Sequence, residues 1–318
     1  METVEEPKKP ARPKKRWGHW VSLTLLVLAV SLTVAQPHAL TALLVWPAWV
    51  WLWPGLIIAI CSKTWRIPLA VAWVTFGFVF VEEFVSVPLA ALPSKPKTIR
   101  VISLNCSGGT LQAAEDAAKL KPDLLLLQES PGKQELDKFA KRVFGPDGVA
   151  IVGPDAAIVG KGILQVPTEP HVSNFVVARW NFRTGEPLNI VSLRLQPPIL
   201  RFDLYDPGAW KEFSDAQANR VKEMADIKAL LKRLDIPPDL VAGDFNAPPN
   251  LTSGSVLVEG LTDAFKSSGV GFGATCVSPM PCLVRIDQIW TSKVFKSVRT
   301  WRQYTENSDH MMLVADFE

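Results

Sequence analysis

The sequence predicts an α/β protein in which layers of strands and helices follow an apolar N-terminal region. Residues 99–318 contain short apolar runs bounded by turn residues, the pattern of buried strands. Residues 110–120 and 214–234 carry apolar side chains at helical spacing, and Ser214 with Gln217 forms a capping-box pattern at the start of the longer helix. Strands that alternate with helices in this way favour α/β layers.

Residues 17–92 form the apolar region, and they hold eight of the twelve Trp residues. Residues 17–35 and 39–61 are nearly uncharged and long enough to cross a bilayer, which takes about 20 apolar residues. Residues 67–92 are interrupted by two adjacent glutamates, so they can span only if that pair reaches the interface or faces other helices. We expect three transmembrane helices; the alternative is a cleaved signal peptide followed by a buried helical domain.

Basic residues determine the expected orientation of these helices. Residues 1–16 are charged and Pro-rich, and we expect them to be a disordered cytoplasmic tail. Lys63 and Arg66, between the second and third segments, should also be cytoplasmic. Three helices then place the remaining chain outside the cytoplasm, as the domain of a multi-pass membrane protein. Two helices would return it to the cytoplasm, an arrangement that the basic residues after the third segment mildly favour.

A short linker, residues 93–98, leads into one large domain, residues 99–318. The first 92 residues hold eight Lys or Arg and five Asp or Glu, which leaves 26 of each sign in the rest of the chain. A protein that grips duplex DNA usually carries a basic face, so a neutral domain lowers the expectation of tight polynucleotide binding. Cys276 and Cys282 bracket a turn-rich loop and are either a disulfide or two unpaired thiols.

The predicted strands of this domain end at polar residues in several places. Their ranges, in order along the chain, are 100–104, 124–128, 149–152, 156–160, 174–180, 188–195, 239–243, 284–290 and 311–317. A polar residue at the end of a buried strand lies at the edge of a sheet, where a rigid scaffold can aim it into a cleft.

Five short polar motifs stand at or near these strand ends. They are Leu104-Asn105, Leu127-Gln128-Glu129, Gly243-Asp244-Phe245-Asn246, Arg285-Ile286-Asp287-Gln288-Ile289 and Ser308-Asp309-His310. Carboxylates, amides and one imidazole brought to one edge could hold a hard divalent cation and a phosphate.

These motifs, in this order and near these spacings, resemble the endonuclease/exonuclease/phosphatase (DNase I-like) superfamily. That group includes DNase I-like nucleases, abasic-site endonucleases, sphingomyelinases and inositol-polyphosphate 5-phosphatases. The resemblance covers Thr98 to Phe317. It implies a four-layered α/β sandwich of two packed β-sheets flanked by helices, here in a membrane-anchored, bacterial-type member.

The resemblance also implies which residues handle the metal ion and the attacking water. Glu129 and Asp309 would bind Mg²⁺ or Mn²⁺, and Asp244 would orient or deprotonate the water. The ordinary alternatives are a solvent-facing glutamate at a strand end and, around Asp244, an Asx turn.

The remaining motif residues are implied to bind the phosphate. Asn105 and Asn246 would donate hydrogen bonds to it, which a neutral amide can do without repelling it. His310 would donate to the scissile phosphate, and Asp287 would fix the tautomer of His310.

One position departs from the superfamily's pattern. Many members carry a Thr-His-Leu-like step on the central strand, and here the matching residues are Leu193-Arg194-Leu195. An arginine cannot donate its proton near neutral pH, but it clamps phosphate well. We therefore expect Arg194 to bind substrate.

These interpretations together predict a membrane-anchored, metal-dependent phosphoesterase. A lipid headgroup or a small phosphoester is slightly favoured as substrate, and no obligate protein partner is inferred. The alternatives are a DNA or RNA nuclease of the same superfamily and a catalytically silent binding module, which the arginine at position 194 would suit.

Overall fold

A computed structural model describes residues 17–62, 65–81, 98–166, 174–181, 186–197, 203–252, 254–276 and 284–318. The N-terminal region consists of helices α1 (Trp17–Ala35), α2 (Thr41–Leu44), α3 (Trp49–Cys61) and α4 (Arg66–Phe80). A single turn of 3-10 helix, His38–Leu40, precedes α2.

The domain that follows contains two six-stranded sheets. The first sheet has the order β11-β12-β1-β2-β4-β3. Its strands are β1 (Ile99–Asn105), β2 (Leu124–Gln128), β3 (Gly148–Val152), β4 (Ala156–Lys161), β11 (Ser297–Gln303) and β12 (Met312–Phe317). The second sheet has the order β5-β6-β7-β8-β10-β9. Its strands are β5 (Ile163–Gln165), β6 (Phe175–Trp180), β7 (Leu188–Arg194), β8 (Leu240–Asp244), β9 (Thr262–Asp263) and β10 (Asp287–Thr291).

Five helices accompany the sheets, and the alternation of side chains along the strands explains where they lie. The helices are α5 (Leu111–Ala118), α6 (Lys133–Phe144), α7 (Pro207–Arg233), α8 (Pro249–Thr252) and α9 (Ala264–Ser268). Successive strand residues point to opposite faces, so Leu124 and Leu126 pack between the sheets while Leu125 and Leu127 pack under α5 and α6. The second sheet uses its outer face in the same way against α7. The predicted sandwich of two packed sheets flanked by helices is confirmed.

Two parallel strand pairs bring the polar motifs to one edge of the sandwich. β1 runs parallel to β2, with Asn105 opposite Gln128, and β7 runs parallel to β8, with Arg194 opposite Asp244. β10 is antiparallel to β8 and starts where β8 ends, so Asp287 lies opposite Asp244. Because parallel strands end on the same side, side chains from both sheets converge there.

All nine predicted strands are present, but several elements differ from expectation. The predicted elements do not include the helices α6, α8 and α9 or the strands β5, β9 and β11. The strand expected at 284–290 begins at Asp287. The longest helix begins at Pro207 instead of Ser214, because the Asp206 carboxylate accepts a hydrogen bond from the Gly208 N–H at 2.9 Å and caps the helix there.

The N-terminal helices differ from the three expected spans. Among the described residues, α1 is long and apolar enough to cross a membrane by itself. The second expected span is bent by 75° between residues 38–44 and 49–61, so it counts as a span only if the bent pair is taken as one. The third expected span is a shorter apolar helix, α4, and the rest of it lies outside the described residues. Residues 1–16, 93–97 and Cys282 also lie outside them, so the tail, the linker and the disulfide remain expectations.

The N-terminal helices contact the domain close to one of the polar motifs. The Gln36 side-chain amide donates to the Asn250 carbonyl at 2.7 Å, and the Asn250 amide donates to the Leu44 carbonyl at 3.4 Å. The Ser214 hydroxyl, freed from capping, donates to the His38 carbonyl at 2.6 Å. These contacts join the N-terminal helices to α7 and to α8, which begins three residues after Asn246.

A buried ion pair fixes the approach to β10. Both terminal nitrogens of Arg285 donate to Asp263, at 3.1 and 2.6 Å, and both side chains are almost fully buried. Asp263 also caps α9 by accepting from the Phe265 N–H at 2.9 Å. Removing one partner of such a pair leaves the other charge buried without compensation.

Asp263→Ala should therefore lower the free energy of unfolding by about 3–5 kcal/mol, measured by urea titration of the full chain in detergent. Lys133→Ala, which breaks the exposed Lys133–Asp137 pair, should leave the urea midpoint nearly unchanged. Equal midpoint shifts for the two variants would contradict the importance of the buried pair.

Candidate active site

The Asn105 side chain connects the two sheets at the convergent edge. Its amide nitrogen donates to Glu129 Oε1 at 3.0 Å, just after β2, and to Asp244 Oδ2 at 3.2 Å, at the end of β8. Its amide oxygen accepts from the Ser107 N–H at 2.9 Å, which fixes which end of the amide faces the carboxylates. One neutral donor thus holds a carboxylate from each sheet.

Glu129 is held in a defined orientation by its backbone and by three donors. Its φ angle is +43°, a left-handed conformation that few non-glycine residues adopt without support. Glu129 Oε2 accepts from the Gly108 N–H at 2.7 Å. Glu129 Oε1 receives Arg194 Nη2 at 2.8 Å as well as the Asn105 amide. The carboxylate is therefore turned into the cleft and is not a solvent-facing strand-end residue.

The Gly243–Asn246 turn places Asp244 deep in the edge. A β-carbon at Gly243 would lie 1.9 Å from the Leu193 carbonyl oxygen, so only glycine lets β8 approach β7 here. Asp244 Oδ1 accepts from the Asn246 N–H at 2.9 Å, an Asx-type contact. The Asn246 amide donates to the Leu195 carbonyl at 2.8 Å, so in this state it supports the adjacent strand.

His310 lies between two aspartates. Its Nδ1 is 2.9 Å from Asp287 Oδ2, and its Nε2 is 4.0 Å from Asp244 Oδ2. The Ser308 hydroxyl orients the segment by accepting from the His310 N–H at 2.9 Å and donating to the Asn105 carbonyl at 2.6 Å. The expected carboxylate–imidazole pair is therefore formed, with Nε2 directed toward the Asp244 side of the cleft.

Burial and the charges of neighbouring groups shift the pKa values of His310 and Asp244. Burial lowers the pKa of His310, but the carboxylates of Asp287, Asp244 and Asp309 outweigh it and raise the pKa to about 10. Burial raises the pKa of Asp244 to about 7, the charge of Asp287 adds to the increase, and His310 and the Asn246 and Asn105 hydrogen bonds oppose it. At neutral pH His310 is thus a cation, and a further positive charge would favour ionised Asp244.

The donor set fits a hard divalent cation. Ligand atoms of Asp244, Asp287 and His310 all lie within 4.8 Å of one another. Asp287 Oδ1 is buried and has no hydrogen-bond partner among the described residues, so a cation or a donor is needed to satisfy it. His310 Nδ1 already contacts Asp287 Oδ2, so it is not available to bind a cation. The carboxylate oxygens are therefore the better ligands here.

The two metal ligands expected from the sequence lie in different surroundings. Glu129 faces the cleft and is linked to Asp244 through Asn105. Asp309 is exposed, and its charge acts on the neighbouring His310. Asp309 is not part of the acidic cluster around Asp244, so its role as a ligand stays a prediction.

Arg194 lies at the end of β7 and contacts two carboxylates of the first-sheet side. Its Nη2 pairs with Glu129 and its Nη1 pairs with Asp155 Oδ2 at 2.9 Å. Sequence reasoning missed Asp155, which lies in the turn between β3 and β4. The Gly153-Pro154-Asp155 sequence indicates a turn and nothing more, so no signal in the chain marks its contact with Arg194.

A family model and several solved structures are similar to this chain. The model of the endonuclease/exonuclease/phosphatase family matches residues 102–310. The chain is similar to a solved family member from Bacteroides thetaiotaomicron, with 16% identity, a TM-score of 0.47, and coverage of 70% of this chain and 98% of that one. A mannosyl-6-phosphatase from the same organism gives 16% identity, a TM-score of 0.47, and coverages of 69% and 99%. Humanized D. rerio TDP2 gives 17% identity, a TM-score of 0.49, and coverages of 70% and 99%.

No curated protein matches the chain. The family model nevertheless covers well over half of its length and includes every motif of the convergent edge. The chain therefore belongs to the endonuclease/exonuclease/phosphatase family and is a hydrolase that acts on phosphoester bonds.

Proposed function

We propose that this hydrolase is a membrane-anchored, Mg²⁺- or Mn²⁺-dependent phosphoesterase that attacks phosphorus in line with an activated water. The observation that carries the proposal is the Asn105 amide, which holds Glu129 and Asp244 together at one edge beside the Asp287–His310 pair. Family members depend on divalent metals, and the acidic cluster offers the oxygen ligands that such ions prefer.

In the proposed mechanism, Glu129 and Asp309 would hold the divalent cation. The cation, when bound, would offset the negative charge that develops on the phosphoryl oxygens. Asp244 orients the water and accepts its proton. His310, a cation held by Asp287, donates from Nε2 to the phosphate.

The phosphate is also bound by Arg194 and by the Asn246 amide, and the Asn105 amide would have to release Glu129 or Asp244 in order to donate to it. Asn246 would exchange its hydrogen bond to the Leu195 carbonyl for one to the phosphate. Arg194 carries a fixed charge across the working pH range, so it serves binding rather than proton transfer. A water molecule would then protonate the leaving group.

Membrane anchoring rests on α1 and on the bent pair that follows it. The loop after Asn246 contacts these helices through Asn250. If the helices lie in a bilayer, the catalytic edge is tied to a segment near its surface, which supports a lipid headgroup or another small phosphoester over a polymer. The neutral charge of the domain supports the same choice.

Hydrolysis should require a divalent cation. The purified full chain in detergent should cleave at least one of bis-p-nitrophenyl phosphate, sphingomyelin, phosphoinositides, plasmid DNA or RNA with Mg²⁺ or Mn²⁺, and excess EDTA should abolish the cleavage reversibly. Full activity that persists in EDTA would contradict the mechanism. Preference for DNA or RNA over every lipid and small substrate would identify a nuclease instead.

Asp244→Asn should lower kcat by about 10²-fold or more, the scale of a lost general base. The variant keeps the shape of the side chain and its contact with the Asn246 N–H. Asp226→Asn, the same change at an exposed position on α7, is the control and should leave kcat and KM unchanged. A kcat for Asp244→Asn within a few-fold of the unaltered enzyme would exclude Asp244 as the base.

The domain should lie outside the cytoplasm. The basic residues before α1, together with Lys63 and Arg66 around the start of α4, motivate this orientation. Alkaline phosphatase fused after Glu318 should be active, and green fluorescent protein fused at the same point should be dark. Fluorescence without phosphatase activity would mean that an even number of spans leaves the domain in the cytoplasm.

A further inference from the structure

One nitrogen of the Arg194 guanidinium has no hydrogen-bond partner among the described residues. Its two terminal nitrogens are each engaged by a different carboxylate, Glu129 at 2.8 Å and Asp155 at 2.9 Å. Arg194 Nε is buried and has no hydrogen-bond partner among the described residues. A guanidinium that spans two carboxylates while one buried N–H stays unsatisfied can gain a further acceptor if it moves.

Glu129 has little room for a cation while Arg194 is in place. Its Oε1 receives both Arg194 Nη2 and the Asn105 amide, and its Oε2 receives the Gly108 N–H. The Asn105 and Gly108 donors are fixed by β1 and by the backbone that follows it. Arg194 is the donor that lies at the end of a long side chain, and its charge repels an incoming cation. A cation that binds Glu129 at Oε1 must therefore displace Arg194.

Asp155 determines where Arg194 goes when it is displaced. The turn that carries Asp155 is closed by the hydrogen bond from the Gly153 N–H to the Ala156 carbonyl, at 2.8 Å. Its contact with Nη1 does not involve Glu129, so it can persist when Nη2 leaves. The guanidinium then remains at the cleft, with Nη2 and Nε free to donate to an anion.

We propose that Asp155 is a positioning residue and that Arg194 is a metal-dependent latch. The divalent cation takes the place of Nη2 on Glu129, and Arg194, retained by Asp155, turns its freed donors to the substrate phosphate. The latch rests on the proposed function because it requires that Glu129 binds the cation. It makes phosphate binding depend on prior cation binding, and by linkage each should strengthen the other.

The first test measures Mn²⁺ affinity of the full chain in detergent by electron paramagnetic resonance, without substrate. Arg194→Ala should bind Mn²⁺ about three- to tenfold more tightly, because a partly buried competing ion pair is removed. Arg100→Ala removes the same charge from a comparably exposed ion pair, with Asp316, at the opposite end of β1. This control should bind Mn²⁺ as the unaltered chain does, and Glu129→Gln should lose most of the binding.

The second test measures binding of inorganic phosphate by calorimetry at saturating Mn²⁺ and without metal. In the unaltered chain Mn²⁺ should strengthen phosphate binding, and Arg194→Ala should weaken binding to the loaded protein by about tenfold, the scale of a lost charge-assisted contact. Asp155→Asn should weaken it in the same direction, and Asp155→Glu should restore part of the loss. A merely structural role for Asp155 would not produce this rescue.

The outcomes separate the latch from the function on which it rests. If Glu129→Gln binds Mn²⁺ as tightly as the unaltered chain, the metal assignment of the proposed function is wrong. If Glu129→Gln loses Mn²⁺ while Arg194→Ala matches Arg100→Ala, the metal assignment stands and the latch is wrong. If Arg194→Ala tightens Mn²⁺ binding but leaves phosphate binding unchanged, Arg194 only blocks the metal site, as expected of a catalytically silent module. The proposal that Asp155 positions Arg194 for the phosphate is then wrong.

Discussion

The hydrogen bonds of the Asn105 amide hold the catalytic edge together. One NH₂ group donates to Glu129 from the first sheet and to Asp244 from the second. A carboxylate at position 105 would add a third negative charge, and an ammonium would occupy the place of a cation. A neutral donor with two hydrogens can bind both carboxylates without either penalty. The positions of Glu129 and Asp244 relative to each other follow from these two hydrogen bonds.

The charges around this amide are only partly compensated. Four carboxylates, those of Glu129, Asp244, Asp287 and Asp155, face two cationic side chains. Arg194 covers the first-sheet side and protonated His310 covers the second-sheet side. The remaining negative charge attracts a divalent ion.

The sequence predicted the strand ends well because buried strands leave a clear apolar signature, and polar residues that interrupt it stand out. It failed where tertiary context decides. β11 is an edge strand with alternating polar residues, so it has no strong apolar pattern. α6 does carry apolar side chains at helical spacing, but the prediction missed it. The helix expected to start at the Ser214 capping box starts earlier, because Asp206 caps it. The contact between Arg194 and Asp155 joins two segments that come close only when the sheets fold.

The contact between Asn250 and the N-terminal helices has a practical consequence for anyone who prepares this enzyme. Trimming the apolar helices to obtain a soluble sample would remove the partners of Asn250 and Ser214. It would also uncover Pro248 and Pro249, which line a small cavity against those helices. Since Pro248 lies two residues after Asn246, the N-terminal helices support the segment that carries a residue of the catalytic edge, and a truncated protein lacks that support.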